Sequence, residues 1–151
     1  MIRRTNRRMF VCLCLICLNL TFIWGNSLLH GPASAALSQW FHGFLNSLVS
    51  LEFTQPEQGH GLLRKLAHFS EFMLLGINLS WLLAMLTDNR KYRISLAVFF
   101  GWIAACTDET IQRFVPGRNG NLTDISIDTA GVIVGIIAFY AGYCIVQNKK
   151  S

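Results

Sequence analysis

Four long apolar runs occupy most of this chain of 151 residues, and each is long enough to cross a lipid bilayer as one helix. A helix rises about 1.5 Å per residue, so about 20 residues cross the hydrocarbon core. Backbone groups in lipid find no water, and a helix pairs them within one segment. The sequence therefore predicts an all-α polytopic membrane helix bundle that forms a single domain over residues 1–151. The four predicted transmembrane helices cover about residues 9–29, 66–87, 94–111 and 125–146.

The composition agrees with a membrane protein and argues against an ordinary soluble domain. Hydrophobic residues make up 52% of the chain and charged residues only 14%, whereas about 25% charged residues is usual in soluble domains. The formal net charge of +5 would also suit a nucleic-acid-binding protein. The basic residues flank the apolar runs, however, so we predict no nucleic-acid partner.

The distribution of Lys and Arg predicts the orientation in the membrane. Nine of the 13 basic residues lie before the first span, between spans two and three, or at the C-terminal end. They are Arg3, Arg4, Arg7, Arg8, Arg90, Lys91, Arg93, Lys149 and Lys150. The other four lie at the opposite ends of the spans, so the excess of positive charge predicts that both termini are cytoplasmic.

A second kind of helix is predicted between the first two spans, over about residues 36–51. Leu37, Trp40, Phe41 and Phe44 recur there at helical spacing, and polar residues lie opposite. Such an amphipathic helix can lie in the outer membrane interface or pack over the bundle as a lid. The sequence leaves both arrangements open.

Three short windows, residues 64–71, 108–118 and 124–128, place ionisable side chains at the ends of apolar runs. With the predicted orientation, all three windows lie on the extracytoplasmic side and can meet. A charge inside a bilayer costs about 2.5–3.5 kcal/mol, so such residues are candidates for a functional site. The candidate ligand-binding residues are Lys65, His68, Glu71, Asp108, Glu109, Gln112, Arg118, Asp124 and Asp128.

Helical spacing gathers these residues into stripes. Lys65, His68 and Glu71 share one stripe of span two, and Asp108 and Gln112 share a face of span three. On span four, Asp124 and Asp128 share a face that continues through Gly131 and Gly135. Small residues let membrane helices approach closely, and we expect these two glycines to serve internal packing. Asp124 is also expected to cap the fourth helix.

The three windows allow more than one chemistry. Arg118 and Lys65 can hold a phosphate or a carboxylate, while His68, Glu71 and Asp108 are candidates for acid–base catalysis. A third interpretation is a structural network of ion pairs that joins the helix ends. A cluster of carboxylates with one His can also hold a divalent cation. No established metal-ligand spacing is present, however, so the sequence predicts neither a metal nor a cofactor.

The same residues carry a family resemblance. Their motifs are Lys65-x-x-His68-x-x-Glu71, then a run over residues 108–118 that ends in Phe-Val-Pro-Gly-Arg, then Asp124-x-x-x-Asp128-x-x-Gly. In order, spacing and topology they resemble the VanZ-like family of small membrane proteins. In that family the position before the Gln of the second motif is often His, and here it is Ile111.

The resemblance implies a multi-pass protein of the bacterial cytoplasmic membrane. The family is named after a member linked to resistance to teicoplanin, a glycopeptide that acts on lipid-linked wall precursors. The leading hypothesis is therefore an outer polar pocket that binds an anionic lipid headgroup or envelope precursor. An enzyme acting on a lipid-linked substrate and a purely structural subunit are the alternatives. Membrane lipids are the expected partners, and the oligomeric state stays open.

Overall fold

The computed structural model describes residues 2–28, 56–116 and 121–148, and every regular element in these ranges is an α-helix. The predicted interfacial helix at residues 36–51 lies outside the described residues. The helices, numbered in chain order, are α1 (Ile2–Leu28), α2 (Pro56–Leu86), α3 (Arg90–Phe114) and α4 (Leu122–Asn148).

Each helix contains an apolar stretch long enough to cross a membrane. These stretches are Asn6–Leu28, Arg64–Leu86, Arg90–Phe114 and Leu122–Ile145, with lengths of 23, 23, 25 and 24 residues. At about 1.5 Å per residue each exceeds the thickness of the hydrocarbon core, about 30 Å. The predicted fold class of four transmembrane helices is confirmed.

The outer surface of the bundle is itself apolar. Phe10, Leu18, Trp102 and Ile137 are each about half or more exposed. A soluble protein rarely exposes so much apolar surface, whereas lipid tails solvate it. Together with the four spans, this surface identifies a multi-pass membrane protein.

Helices α2 and α4 form the closest contact of the bundle, and glycines make it possible. A Cβ added at Gly131 would lie 2.5 Å from the backbone oxygen of Phe69, and one added at Gly135 would meet the backbone oxygen of Met73. The contact advances by four residues on each helix, so α2 and α4 run parallel. The expectation that these glycines serve internal packing is confirmed.

The remaining helices complete the core around this pair. Gly101 of α3 leaves room for the side chain of Val132, which is fully buried. In α1, Cys12 is buried and directs its Sγ toward the backbone oxygen of Asn78 at 3.4 Å. Helices that follow one another in the chain alternate in direction, and the ends of α1 and α3 lie beside the beginnings of α2 and α4.

The caps of the helices explain where two of them begin. Asn89 precedes α3 and accepts hydrogen bonds from the backbone N–H groups of Lys91 and Tyr92. Asn121 precedes α4, and its side chain accepts from the N–H of Thr123 at 3.2 Å. The prediction that Asp124 caps α4 is wrong, because Asn121 comes earlier and takes that position. Asp124 lies in the first turn instead, where a negative charge is also favourable.

Candidate functional site

The three polar windows meet at one end of the bundle, where α1 and α3 end and α2 and α4 begin. We call the predicted side chains that gather there the polar cluster. The polar cluster consists of His68 and Glu71 from α2, Asp108, Glu109 and Gln112 from α3, and Asp124 and Asp128 from α4. Its convergence is a property of the fold, whereas the side of the membrane on which it lies stays a prediction.

Asp108 lies at the centre of the polar cluster and is fully buried. Gln112, one turn further along α3, donates from Nε2 to Asp108 Oδ2 at 2.9 Å and to Ser27 Oγ of α1 at 3.2 Å. The Nδ1 atom of His68 lies 3.7 Å from the same Asp108 oxygen. This carboxylate and its two neighbours therefore connect α1, α2 and α3.

Asp128 faces this centre from α4. It is 1% exposed, and neither of its carboxylate oxygens has a hydrogen-bond partner among the residues that the structure describes. His68, Asp108 and Asp128 each offer one metal-ligating atom, and these three atoms lie within 4.8 Å of one another. These three side chains, which come from three different helices, are the ones in the polar cluster that could hold a metal ion.

Glu71 lies deeper than His68 on α2 and contacts α1. Its Oε1 accepts a hydrogen bond from Asn26 Nδ2 at 3.2 Å. The backbone oxygen of Glu71 accepts from Asn19 Nδ2 at 3.5 Å. Ionisable groups inside a membrane are usually partnered, and Glu71 has such a partner in Asn26.

A narrow crevice between α2 and α4 opens at the rim of the polar cluster. It is lined by Arg64, Lys65, His68, Asp124, Ile127 and Asp128, and it measures about 190 Å³ with its open mouth. The guanidinium of Arg64 lies 3.8 Å from the Asp124 carboxylate. Lys65 is exposed and forms no ion pair within the described ranges. The crevice therefore has a basic mouth and an acidic floor.

Glu109 also belongs to the polar cluster, but its hydrogen bond is to the start of α4. Glu109 is buried and accepts a hydrogen bond from the backbone N–H of Asn121 at 2.8 Å, so it stabilises the start of α4. Arg118 lies outside the described residues, and its predicted role in binding an anion stays a prediction.

Sequence reasoning missed the contribution of α1. Asn19, Asn26 and Ser27 contact the polar cluster or the helices that carry it. Their signal was present in the sequence, since Asn19 and Asn26 are seven residues apart and share one face of an otherwise apolar span. Polar residues that recur on one face of a membrane helix indicate that this face packs against other helices.

This geometry can be compared with known proteins. The family model described as VanZ/LLP1 matches residues 8–146, nearly the whole chain. The chain belongs to the VanZ/LLP1 family. The resemblance noted in the motifs is confirmed, and the matched region includes the α1 residues as well as every member of the polar cluster. No curated protein and no solved structure matches the chain.

Proposed function

We propose that this VanZ/LLP1 protein binds the phosphate of an anionic lipid headgroup, or of a lipid-linked envelope precursor, at the mouth of the crevice on the extracytoplasmic side. The observation that carries this proposal is the pair of adjacent basic residues at that mouth. Lys65 has no acidic partner in the described part of the chain, and Arg64 is held at 3.8 Å from Asp124. A cation at the membrane boundary that is not used in an ion pair is available to a ligand.

The dimensions of the crevice exclude a lipid from its interior. Pockets that enclose a drug-sized ligand measure about 300–1,000 Å³, whereas the enclosed part of this crevice measures about 10 Å³, room for about one water molecule. A phosphate would therefore bind at the open mouth, beside Lys65, and would not enter the crevice. The acyl or prenyl chains would then lie on the apolar outer surface of the helices, where lipid is already the solvent.

A structural network explains only part of the polar cluster. Arg64 with Asp124, Asn26 with Glu71 and the Asn121 N–H with Glu109 are pairs that join helices. Asp128 does not fit this pattern, because its oxygens have no hydrogen-bond partner in the described ranges. Removing a carboxylate from water without a partner is unfavourable by several kcal/mol. Stability alone therefore gives no reason to keep Asp128.

Native mass spectrometry of the protein from nanodiscs tests the proposal. Phosphatidylglycerol and a polyprenyl phosphate represent the two sources of a phosphate, and zwitterionic phosphatidylcholine is the reference lipid. We expect retention of at least one of the two anionic lipids, and at least tenfold weaker retention of it in Lys65→Gln. Lys91→Gln is the matched control, because Lys91 is also an exposed lysine but lies at the other end of the bundle. Equal retention of all three lipids, or equal loss in both variants, would show that the mouth of the crevice is not the binding site.

A second candidate function, catalysis on the bound headgroup, is favoured by the position of His68. Its Nδ1 lies 3.7 Å from Asp108 inside the crevice that Lys65 borders, so it can exchange a proton with a group bound there. Incubation with the retained lipid, followed by mass spectrometry of the lipid, would reveal a product. Catalysis requires that His68→Gln abolishes the product while the lipid is still bound.

Tolerance of teicoplanin would follow only indirectly from headgroup binding, through altered access of the glycopeptide to its lipid-linked target. The corresponding measurement compares the inhibitory concentration of teicoplanin in cells with the wild-type protein and with Lys65→Gln. We expect the inhibitory concentration to fall in the variant if this member protects the precursor.

A further inference from the structure

Three metal-binding side chains converge on one point of the polar cluster from three separate helices. His68 belongs to α2, Asp108 to α3 and Asp128 to α4, and their donor atoms lie within 4.8 Å of one another. Asp108 and Asp128 are almost fully buried, and His68 is half-buried at the crevice. Buried carboxylates are rare unless they are paired or coordinate a metal.

Asp128 has no basic partner among the residues that the structure describes. Asp108 receives a hydrogen bond from the amide of Gln112, and Asp128 has no hydrogen-bond partner in the described part of the chain. Two described basic side chains line the crevice with Asp128, but Arg64 contacts Asp124 and Lys65 is exposed. A divalent cation between the two carboxylates would make the group neutral.

The distances favour coordination over direct hydrogen bonding. The separation of 3.7 Å between His68 Nδ1 and Asp108 Oδ2 exceeds a hydrogen bond, which ends at about 3.2 Å. Two ligand atoms at about 2.0–2.2 Å from one metal ion are roughly 3–4 Å apart. Small side-chain rotations would bring the third donor, from Asp128, to the same separation.

We propose that His68, Asp108 and Asp128 bind one divalent cation of the Mn²⁺ or Zn²⁺ type. An imidazole nitrogen favours these ions over Mg²⁺ and Ca²⁺, which prefer oxygen ligands, and the two carboxylates suit both. Three protein ligands leave at least one coordination position open. Gln112 fixes the Asp108 carboxylate by its hydrogen bond of 2.9 Å, as the outer partners of metal ligands usually do.

The proposed cation site is a property beyond headgroup binding, and it does not depend on headgroup binding. It also departs from the sequence-based prediction of no metal, which rested on the absence of a local ligand motif. The three ligands are 40 and 20 positions apart in the chain (68, 108 and 128), and the packing of α2, α3 and α4 against one another brings them together. If a phosphate does bind at the mouth, the open coordination position offers it a positive contact at the floor.

Electron paramagnetic resonance with Mn²⁺ tests the site in full-length protein that has been purified in detergent and stripped with EDTA. We expect one bound Mn²⁺ per chain, with a nitrogen coupling from His68 that disappears in His68→Gln. Asp128→Asn should weaken Mn²⁺ binding at least tenfold, since even the loss of an outer partner weakens metal binding by about 10–100-fold. Asp88→Asn is the control, because it removes the same charge from an exposed position at the other end of the bundle.

Thermal unfolding provides a second measurement that does not depend on the magnetic probe. EDTA should lower the melting temperature of the wild type, and Mn²⁺ or Zn²⁺ should restore it. In EDTA, the melting temperature of Asp128→Asn should be at least as high as that of the wild type, because the variant replaces a buried carboxyl group that has no hydrogen-bond partner in the described ranges. Added metal should not shift it. No bound Mn²⁺ and no Zn²⁺-dependent shift in the wild type would overturn the proposal, as would metal binding that is unchanged in both His68→Gln and Asp128→Asn. None of these measurements contains lipid, so their failure leaves headgroup binding to its own test.

Discussion

Glu71 and Asn26 form a partly buried hydrogen bond between α1 and α2. The amide donates to the carboxylate at 3.2 Å. A hydrogen bond to a charged group contributes about 1.5–3 kcal/mol, and a partner left alone in a buried site costs about as much. Replacing both partners by apolar groups of similar shape can be nearly neutral. Removing one partner should therefore cost more stability than replacing both, and mutation can measure this difference.

We expect Asn26→Leu to lower the free energy of unfolding by about 1–3 kcal/mol, because Glu71 loses a donor. The double variant Asn26→Leu with Glu71→Leu should recover most of that loss. The measurement is equilibrium unfolding in one detergent. Thr21→Ala is the control on α1, since Thr21 is exposed and its hydroxyl donates to the backbone oxygen of Cys17 in the same helix. If the effects of the two single variants simply add, the pair is not coupled.

The contact between α2 and α4 depends on the absence of side chains at a few positions of α4. A Cβ at Gly135 would collide with the backbone oxygen of Met73, and backbone cannot rotate away as a side chain can. Gly142 lies on the same helix, and a Cβ there would meet nothing within 4 Å. The two glycines therefore have the same residue type and helix but different surroundings.

Gly135→Ala should destabilise the bundle by about 1–3 kcal/mol, the usual cost of overpacking. Gly142→Ala should be neutral or stabilising by up to about 1 kcal/mol, because alanine favours a helix more than glycine does. Thermal unfolding of both variants in the same detergent gives the comparison. Similar melting temperatures for the two would contradict the close approach of α2 and α4. Since His68 and Asp128 lie on these two helices, Gly135→Ala should also weaken binding at the polar cluster.

In the purely apolar parts of the spans, the sequence could not predict which face of each helix is buried. In lipid the buried and the exposed faces are both apolar, so hydrophobic periodicity does not mark the inside. Ile136 is 4% exposed and its neighbour Ile137 is 61% exposed, although they are the same residue type. The spans could be predicted because length and composition determine them. The sequence places Asn19 and Asn26 on one face of α1, but only the contacts with α2 and α3 show which groups Asn26 and Ser27 bond.

The polar cluster was predicted more completely than the packing around it. Charged residues in a membrane helix face the interior of the bundle, and this rule alone places Asp108, Glu71 and Asp128 inside. Two details needed the structure. Glu109 holds the start of α4 through the Asn121 N–H, and Asp128 lacks the hydrogen-bond partners that its burial would demand in the described ranges.

The orientation of the whole molecule follows from its charges and can be measured. We expect a cysteine at position 119 to react with a membrane-impermeant thiol reagent in intact cells, and a cysteine at position 88 to react only after permeabilisation. Position 88 is preferred to Asn89, which caps α3. Both are introduced into a variant without the five native cysteines. The reverse pattern would place the polar cluster on the cytoplasmic side and remove extracytoplasmic ligands from consideration.

Photo-crosslinking in living cells tests most directly whether the crevice is a lipid-binding site. A photoreactive amino acid replaces Ile127, which lines the crevice, or Ile137, which faces lipid on the same helix. We expect a phosphate-bearing lipid to be enriched in the adduct at position 127 relative to position 137, and this enrichment to disappear in Lys65→Gln. An adduct at position 127 with the same lipid composition as position 137, unchanged by Lys65→Gln, would contradict headgroup binding at the crevice.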